Sequence, residues 1–145
     1  MNYKELERDN LISAYKAPPE QIEKELKIAA RDIKVARKTL DEDNDWAFSI
    51  AYNAILQAGR ALMFSKGYRP RGMEQHKTVL RFIEITLGKP YQEKVRFIDT
   101  MRINRHRVMY DEPELISKSE AEYAVQIAKE FVGLVKDQFL GVRSR

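Results

Sequence analysis

The stretch Trp46–Lys66, WAFSIAYNAILQAGRALMFSK, decides the fold. Ala47, Ile50, Ala51, Ala54, Ile55, Ala58, Ala61 and Leu62 cover more than one face at helical period. A helix that is apolar on several faces must be packed on several sides. Its many small residues let neighbouring helices approach closely. The spacing therefore predicts a central helix over about 46–66. Asn44 or Asp45, closing the acidic run Asp41–Asp45, is the expected N-cap, and Gly67 is the expected left-handed residue after the last turn.

Upstream, Ile22, Leu26, Ala29, Ile33, Ala36 and Leu40 recur at steps of three and four, which is one apolar stripe on an amphipathic helix. Pro18 and Pro19 separate it from a shorter helix over about 3–15. Downstream, a basic loop from Tyr68 to Gly72 leads to a fourth helix over about 74–87, which stops at Gly88-Lys89-Pro90. A fifth covers about 91–110 and ends before Pro113. Ser117 and Glu120 form a capping box that opens a sixth, whose stripe is Ala121, Ala124, Ala128, Phe131, Val135 and Phe139. No segment alternates with period two over a strand's length, and Asn-Gly and Asp-Gly hairpin signals are missing. The expected fold is all-α: one up-and-down bundle of five to six helices, forming a single domain over residues 1–145.

Composition narrows the chemistry. With 145 residues, 43% hydrophobic and 33% charged, the chain has room for one ordinary core and is too apolar to be disordered. No apolar run reaches the roughly 20 residues of a membrane span. The first sixteen residues lack a signal-peptide design, so they are expected to be structure. Cysteine is absent, which removes disulfide and thiolate chemistry and fits a cytoplasmic location. The net charge of +4 is compatible with a nucleic-acid partner without demanding one. Basic residues gather at Lys66–Arg71, Arg96–Arg107 and Arg143–Arg145, and acidic ones at Asp41–Asp45 and Asp111–Glu114. Each basic group also has a plain reading as a solvated helix face.

The fifth helix breaks its own pattern. Val95, Ile98 and Met101 define an apolar face, yet Arg102 and Arg105 occupy the positions that should continue it. Arg102, His106 and Tyr110 follow one another at steps of four, on the flank beside Arg105. Two guanidiniums, an imidazole and a phenol along adjoining strips form a set that binds phosphate and steadies charge in phosphoryl transfer. The competing reading is structural: these arginines pair with carboxylates such as Asp32, Asp45 or Asp99, and His106 is a packed histidine. Elsewhere, Tyr68, Arg69 and Arg71 form an aromatic and basic loop that is a second candidate phosphate contact, or an ordinary solvated loop. His76 beside Glu74 is too poor a set for a closed zinc site, and a structural role near the start of the fourth helix fits it better. Met63, Met101 and Met109 read as core or interface filler. There is no P-loop and no nucleophile elbow, and neither a metal nor a cofactor is expected.

The window Arg102-Ile-Asn-Arg105-His106-Arg-Val-Met-Tyr110-Asp111 resembles the signature of the HEPN domains (higher eukaryotes and prokaryotes nucleotide-binding). These are small helical bundles in which a late helix carries an arginine, usually followed by asparagine, with histidine or tyrosine five residues after the arginine. The stretch from Asp45 to Met63 resembles the family's alanine-rich central helix, and Gly67–His76 the connection after it. The resemblance covers about residues 20–140 and is closest to stand-alone prokaryotic members. It implies a dimer in which the motif helices of two protomers meet across a cleft. It also implies that Arg105 would bind a phosphate, with Arg102 as an auxiliary contact. His106 stands where the family has asparagine, and Tyr110 where the best-characterised nucleases have histidine. A phenol, whose ordinary pKa is about 10, is a poor general base at neutral pH.

Three functional expectations follow. One is a module that binds nucleotide or RNA phosphate, as a homodimer and paired with a small nucleotidyltransferase in a two-component or toxin–antitoxin arrangement, as the resemblance implies. Another is a metal-independent endoribonuclease in which Arg105 and Arg102 neutralise the pentavalent phosphate while His106 or Tyr110 handles protons. The third is a helical dimer whose arginines are purely structural.

Overall fold

Asp43, rather than Asn44 or Asp45, starts the central helix. Its carboxylate accepts the Trp46 backbone N–H at 3.0 Å, so the helix begins at Asn44. Asp45 is thereby released to turn outward and accept backbone N–H groups from Glu114 and Ile116, tying the entry of the last helix to the start of the central one. The computed structural model describes residues 1–110 and 113–143, without the side chains at 109 and 140–143. Met109, Asp111 and the basic tail Arg143–Arg145, all singled out above, lie outside the described side chains.

Among the described residues there are six α-helices: α1 Tyr3–Arg8, α2 Pro19–Thr39, α3 Asn44–Ser65, α4 Gln75–Leu87, α5 Gln92–Tyr110 and α6 Lys118–Arg143. They form an all-α bundle organised on α3. α2 and α6 pack along α3 and against each other, and α4 and α5 pack on α3 and on one another. The stripe expected on α2 is buried from Ile22 through Ala36, and Leu40 half-buried just past the helix end. Ala121, Ala124, Ala128, Phe131, Val135 and Phe139 are the buried face of α6. The Ser117–Glu120 box forms in both directions, at 3.1 and 3.3 Å. Met63 and Met101 are core residues.

Small residues do bring helices together. A Cβ at Gly59 of α3 would collide with Val79 Cγ1 and press within 3.1 Å of Ile83 Cδ1, both on α4. That close approach holds the middle of α4 against α3. Gly67 ends α3 with φ +87°, as its position after the last turn requires.

The N-terminal segment departs from expectation. The first helix stops at Arg8, not near Tyr15, because Asn10 adopts φ +59° and turns the chain. Ile12–Ala14 (β1) then pairs antiparallel with Tyr68–Pro70 (β2), in the register Ile12 with Pro70 and Ala14 with Tyr68. The loop expected at Tyr68–Gly72 is thus half of a two-stranded ribbon. Three-residue strands are too short to alternate visibly, and their partner lies some fifty residues away. The ribbon buries Ile12, and Tyr3 stacks on Phe82 of α4 with ring centroids 4.5 Å apart.

Candidate phosphate-binding cleft

α5 carries Val95, Ile98, Met101 and Val108 into the core, which leaves its next strip facing the start of α4. Between the two lies an open cleft of about 790 Å³, lined by Arg60 of α3, Gly72–Lys77 and the α5 residues Arg102, Ile103, Arg105, His106, Arg107 and Tyr110. The four motif side chains Arg102, Arg105, His106 and Tyr110 therefore share one opening. The His106 and Tyr110 rings lie 4.9 Å apart.

The two arginines differ in what they bond. Arg102 Nε donates to Asp99 Oδ1 at 2.9 Å, one turn back on α5. Arg105 forms no ion pair among the described residues. Its Nε is buried without a hydrogen-bond partner, and its guanidinium carbon sits 5.6 Å from the centroid of the Tyr52 ring. A buried N–H of a charged group left unmade costs about 1–3 kcal/mol or more. The other carboxylates considered as partners are engaged elsewhere. Asp32 accepts from Asn53 and Arg31, and Asp45 holds the approach to α6.

Two residues of the cleft were not singled out as site residues from the sequence. Arg60 is the sole charged residue between Trp46 and Ser65. A lone cation in so apolar a helix was the available signal. His76, read as structural, lies in the first turn of α4, where Nδ1 is 3.2 Å from the Tyr52 hydroxyl. Burial, then the guanidiniums of Arg60, Arg105 and Arg102, hold the His76 pKa below that of an ordinary histidine. Burial pushes the Tyr52 hydroxyl upward, against the pull of Arg102 and Arg105. Tyr52 is fully buried and lies beneath the cleft, so its contribution is to hold what lines it.

Arg69 and Arg71 stand outside this lining. Arg69 is on β2, where its Nε donates to Ser13 Oγ at 3.3 Å and its guanidinium lies 5.2 Å from the Tyr15 ring centroid. Arg71 follows β2, with its backbone N–H bonded to the Leu11 carbonyl. No cluster of three or more metal-ligating side chains occurs among the described residues.

A family model described as the HEPN domain matches residues 22–138, most of the chain. The chain belongs to the HEPN family. No curated protein matches it. The HEPN match spans α2 through most of α6, and so contains the central helix, the cleft and the α5 motif together. No helix among the described residues is long and apolar enough to cross a membrane.

Proposed function

We propose that this HEPN domain binds the phosphate of a nucleotide or of RNA in the cleft between α4 and α5, with Arg105 as the central contact. The observation that carries the reading is the Arg105 guanidinium, unpaired and partly desolvated beside Arg60 and Arg102 in an open cleft. A phosphate in the cleft would supply the counter-charge that the Arg105 guanidinium lacks, bonded from its side that lines the opening, and a charge-assisted bond of that kind is among the stronger ones. Arg102 would add a second contact from its pair with Asp99. Arg69 and Arg71 would join only for a ligand long enough to leave the cleft past Met73 and Gly72.

The same proposal includes a homodimer, supported by exposed apolar surface beside the motif: Ile103 is 48% and Tyr110 76% exposed. Pairing with a small nucleotidyltransferase, in a two-component or toxin–antitoxin arrangement in the cytoplasm, rests on family membership.

A second reading, metal-independent RNA cleavage, is favoured by His106 and Tyr110 lining the same opening as Arg105. There a 2′-hydroxyl would attack its own phosphodiester. The proton would pass to His106, Tyr110 would donate one to the departing 5′-oxygen, and the product would be a 2′,3′-cyclic phosphate.

One titration tests both. A labelled oligoribonucleotide is bound in chelator across a range of salt. Binding should be lost in Arg105→Ala. Arg60→Gln should lower the slope of log affinity against log salt by about one. Unchanged affinity in Arg105→Ala refutes the phosphate reading. Cyclic-phosphate products that vanish in Arg105→Ala would establish cleavage, and intact RNA would leave a binding module.

A further inference from the structure

We propose that Tyr52 is a positioning residue that locks His76 as a neutral hydrogen-bond donor, its Nε2–H presented to a phosphate oxygen in the cleft. The tautomer follows from counting protons. Tyr52 is fully buried in α3, and its hydroxyl meets His76 Nδ1 at 3.2 Å, with no other acceptor for that hydroxyl among the described hydrogen bonds. If Nδ1 carried the ring proton, it would donate to the Tyr52 oxygen and leave the phenolic hydrogen unpaired in the core. The opposite arrangement satisfies both groups: Tyr52 donates, Nδ1 accepts, and the single proton of a neutral imidazole resides on Nε2. Nε2 is not among the buried atoms lacking a partner, and His76 lines the cleft, so the free edge of the ring opens onto it.

The cations facing the ring favour its neutral form. Arg60 approaches from α3, and Arg102, Arg105, His106 and Arg107 line the cleft from α5. Of the carboxylates nearby, Glu74 just before its own helix bonds Lys77 at 3.1 Å, and Asp99 on α5 bonds Arg102 at 2.9 Å. The Tyr52 ring also lies beneath the Arg105 guanidinium. One buried side chain thus orients two donors, Arg105 through its face and His76 through its hydroxyl. A neutral Nε2–H among guanidiniums suits an oxyanion. It cannot accept a proton from a 2′-hydroxyl, so His76 is a phosphate contact and not a general base.

The ligand role rests on the phosphate reading above, whereas the tautomer can be measured without any ligand. Long-range ¹H–¹⁵N spectra of histidine-labelled protein at neutral pH should show a pyridine-like Nδ1 and a pyrrole-like Nε2 for His76. The chain has only two histidines, so a His76→Gln sample assigns the signal. Tyr52→Phe keeps the ring face under Arg105 and removes only the hydroxyl. It should mix the two tautomers and weaken inorganic phosphate binding about three- to ten-fold, the loss of one oriented bond. A pyrrole-like Nδ1, or a Tyr52→Phe spectrum unchanged from wild type, overturns the positioning. Phosphate that shifts Arg105 Nε but leaves His76 Nε2 in place overturns the donor role. Phosphate that shifts neither overturns the cleft's phosphate reading, and the donor role falls with it.

Discussion

Replacing Arg105 by methionine separates a displayed cation from a structural one, because the two readings predict opposite changes in stability. Arg105 Nε is buried without a partner, and removing it recovers about 1–3 kcal/mol. The substitution forfeits the guanidinium's contact with the Tyr52 ring, worth about 0.5–2 kcal/mol. A methionine thioether over the same ring returns about 0.3–1.5 kcal/mol of that. The balance runs from about 0.7 kcal/mol against the variant to about 3 kcal/mol in its favour. For 145 residues, unfolding entropy converts 1 kcal/mol to about 3 °C, so the melting temperature should stay within about 2 °C of wild type or rise by up to about 9 °C. Scanning calorimetry with and without a nucleoside monophosphate completes the assay. At ten times its Kd the ligand should stabilise wild type by about 1.4 kcal/mol, or about 4 °C, and should leave Arg105→Met unmoved. A melting temperature that falls by 3 °C or more without ligand would refute the reasoning, because the arginine would then be holding the bundle together.

Three further perturbations test the scaffold around the cleft. Gly59→Ala drives a Cβ into Val79 and against Ile83. Overpacking, less the helix propensity gained, should cost about 1–2 kcal/mol and lower the melting temperature by about 3–6 °C; an unaltered transition would show that α3 and α4 are not so close. Asp45→Ala removes the acceptor of the Glu114 and Ile116 N–H groups and should cost about 1.5–3 kcal/mol, with faster proteolysis around Pro113 than in wild type. The pH dependence of stability should carry a His76 contribution. Its folded pKa is depressed, so the unfolded chain binds the proton more readily; the contribution is complete above about pH 6.5 and declines as pH falls below it. The melting-temperature difference between wild type and His76→Gln should be flat above pH 7 and shrink towards pH 5, and a constant difference would contradict it.

The helices were legible because burial leaves a period. The stripes of α2 and α6 and the multi-faced α3 each announced their neighbours, and Ser117, Glu120 and Gly67 marked ends by local chemistry alone. What escaped depends on contacts remote in sequence. β1 and β2 are three residues each and stabilise one another only when α3 has brought Gly67 back beside Tyr15, whose N–H bonds its carbonyl. Asp43 is the N-cap while Asp45 bonds the segment before α6, a division of roles that no window of local sequence contains. Within the site, the α5 motif was visible as a break in an apolar face. Its completion by Arg60 and His76 required knowing that α3 and α4 flank α5.

The difference between Arg102 and Arg105 is nonetheless written in the spacing. Arg102 has Asp99 three residues before it, on the same side of the helix and within reach. Around Arg105, the positions three and four residues away hold Met101, Arg102, Val108 and Met109, so its own helix offers no carboxylate. Pairing then depends on neighbouring elements, and these bring Arg60, His76 and Glu74 to the cleft, the last already bonded to Lys77, with the Tyr52 ring beneath. An arginine three residues from a paired one is thus left without an ion pair among the described residues. If stability alone governed these positions, an apolar residue at 105, such as methionine or leucine, would remove the cost of its unbonded Nε. That none is present, while α5 spends an aspartate on the arginine beside it, is the physical argument that the acceptor for Arg105 comes from outside the chain.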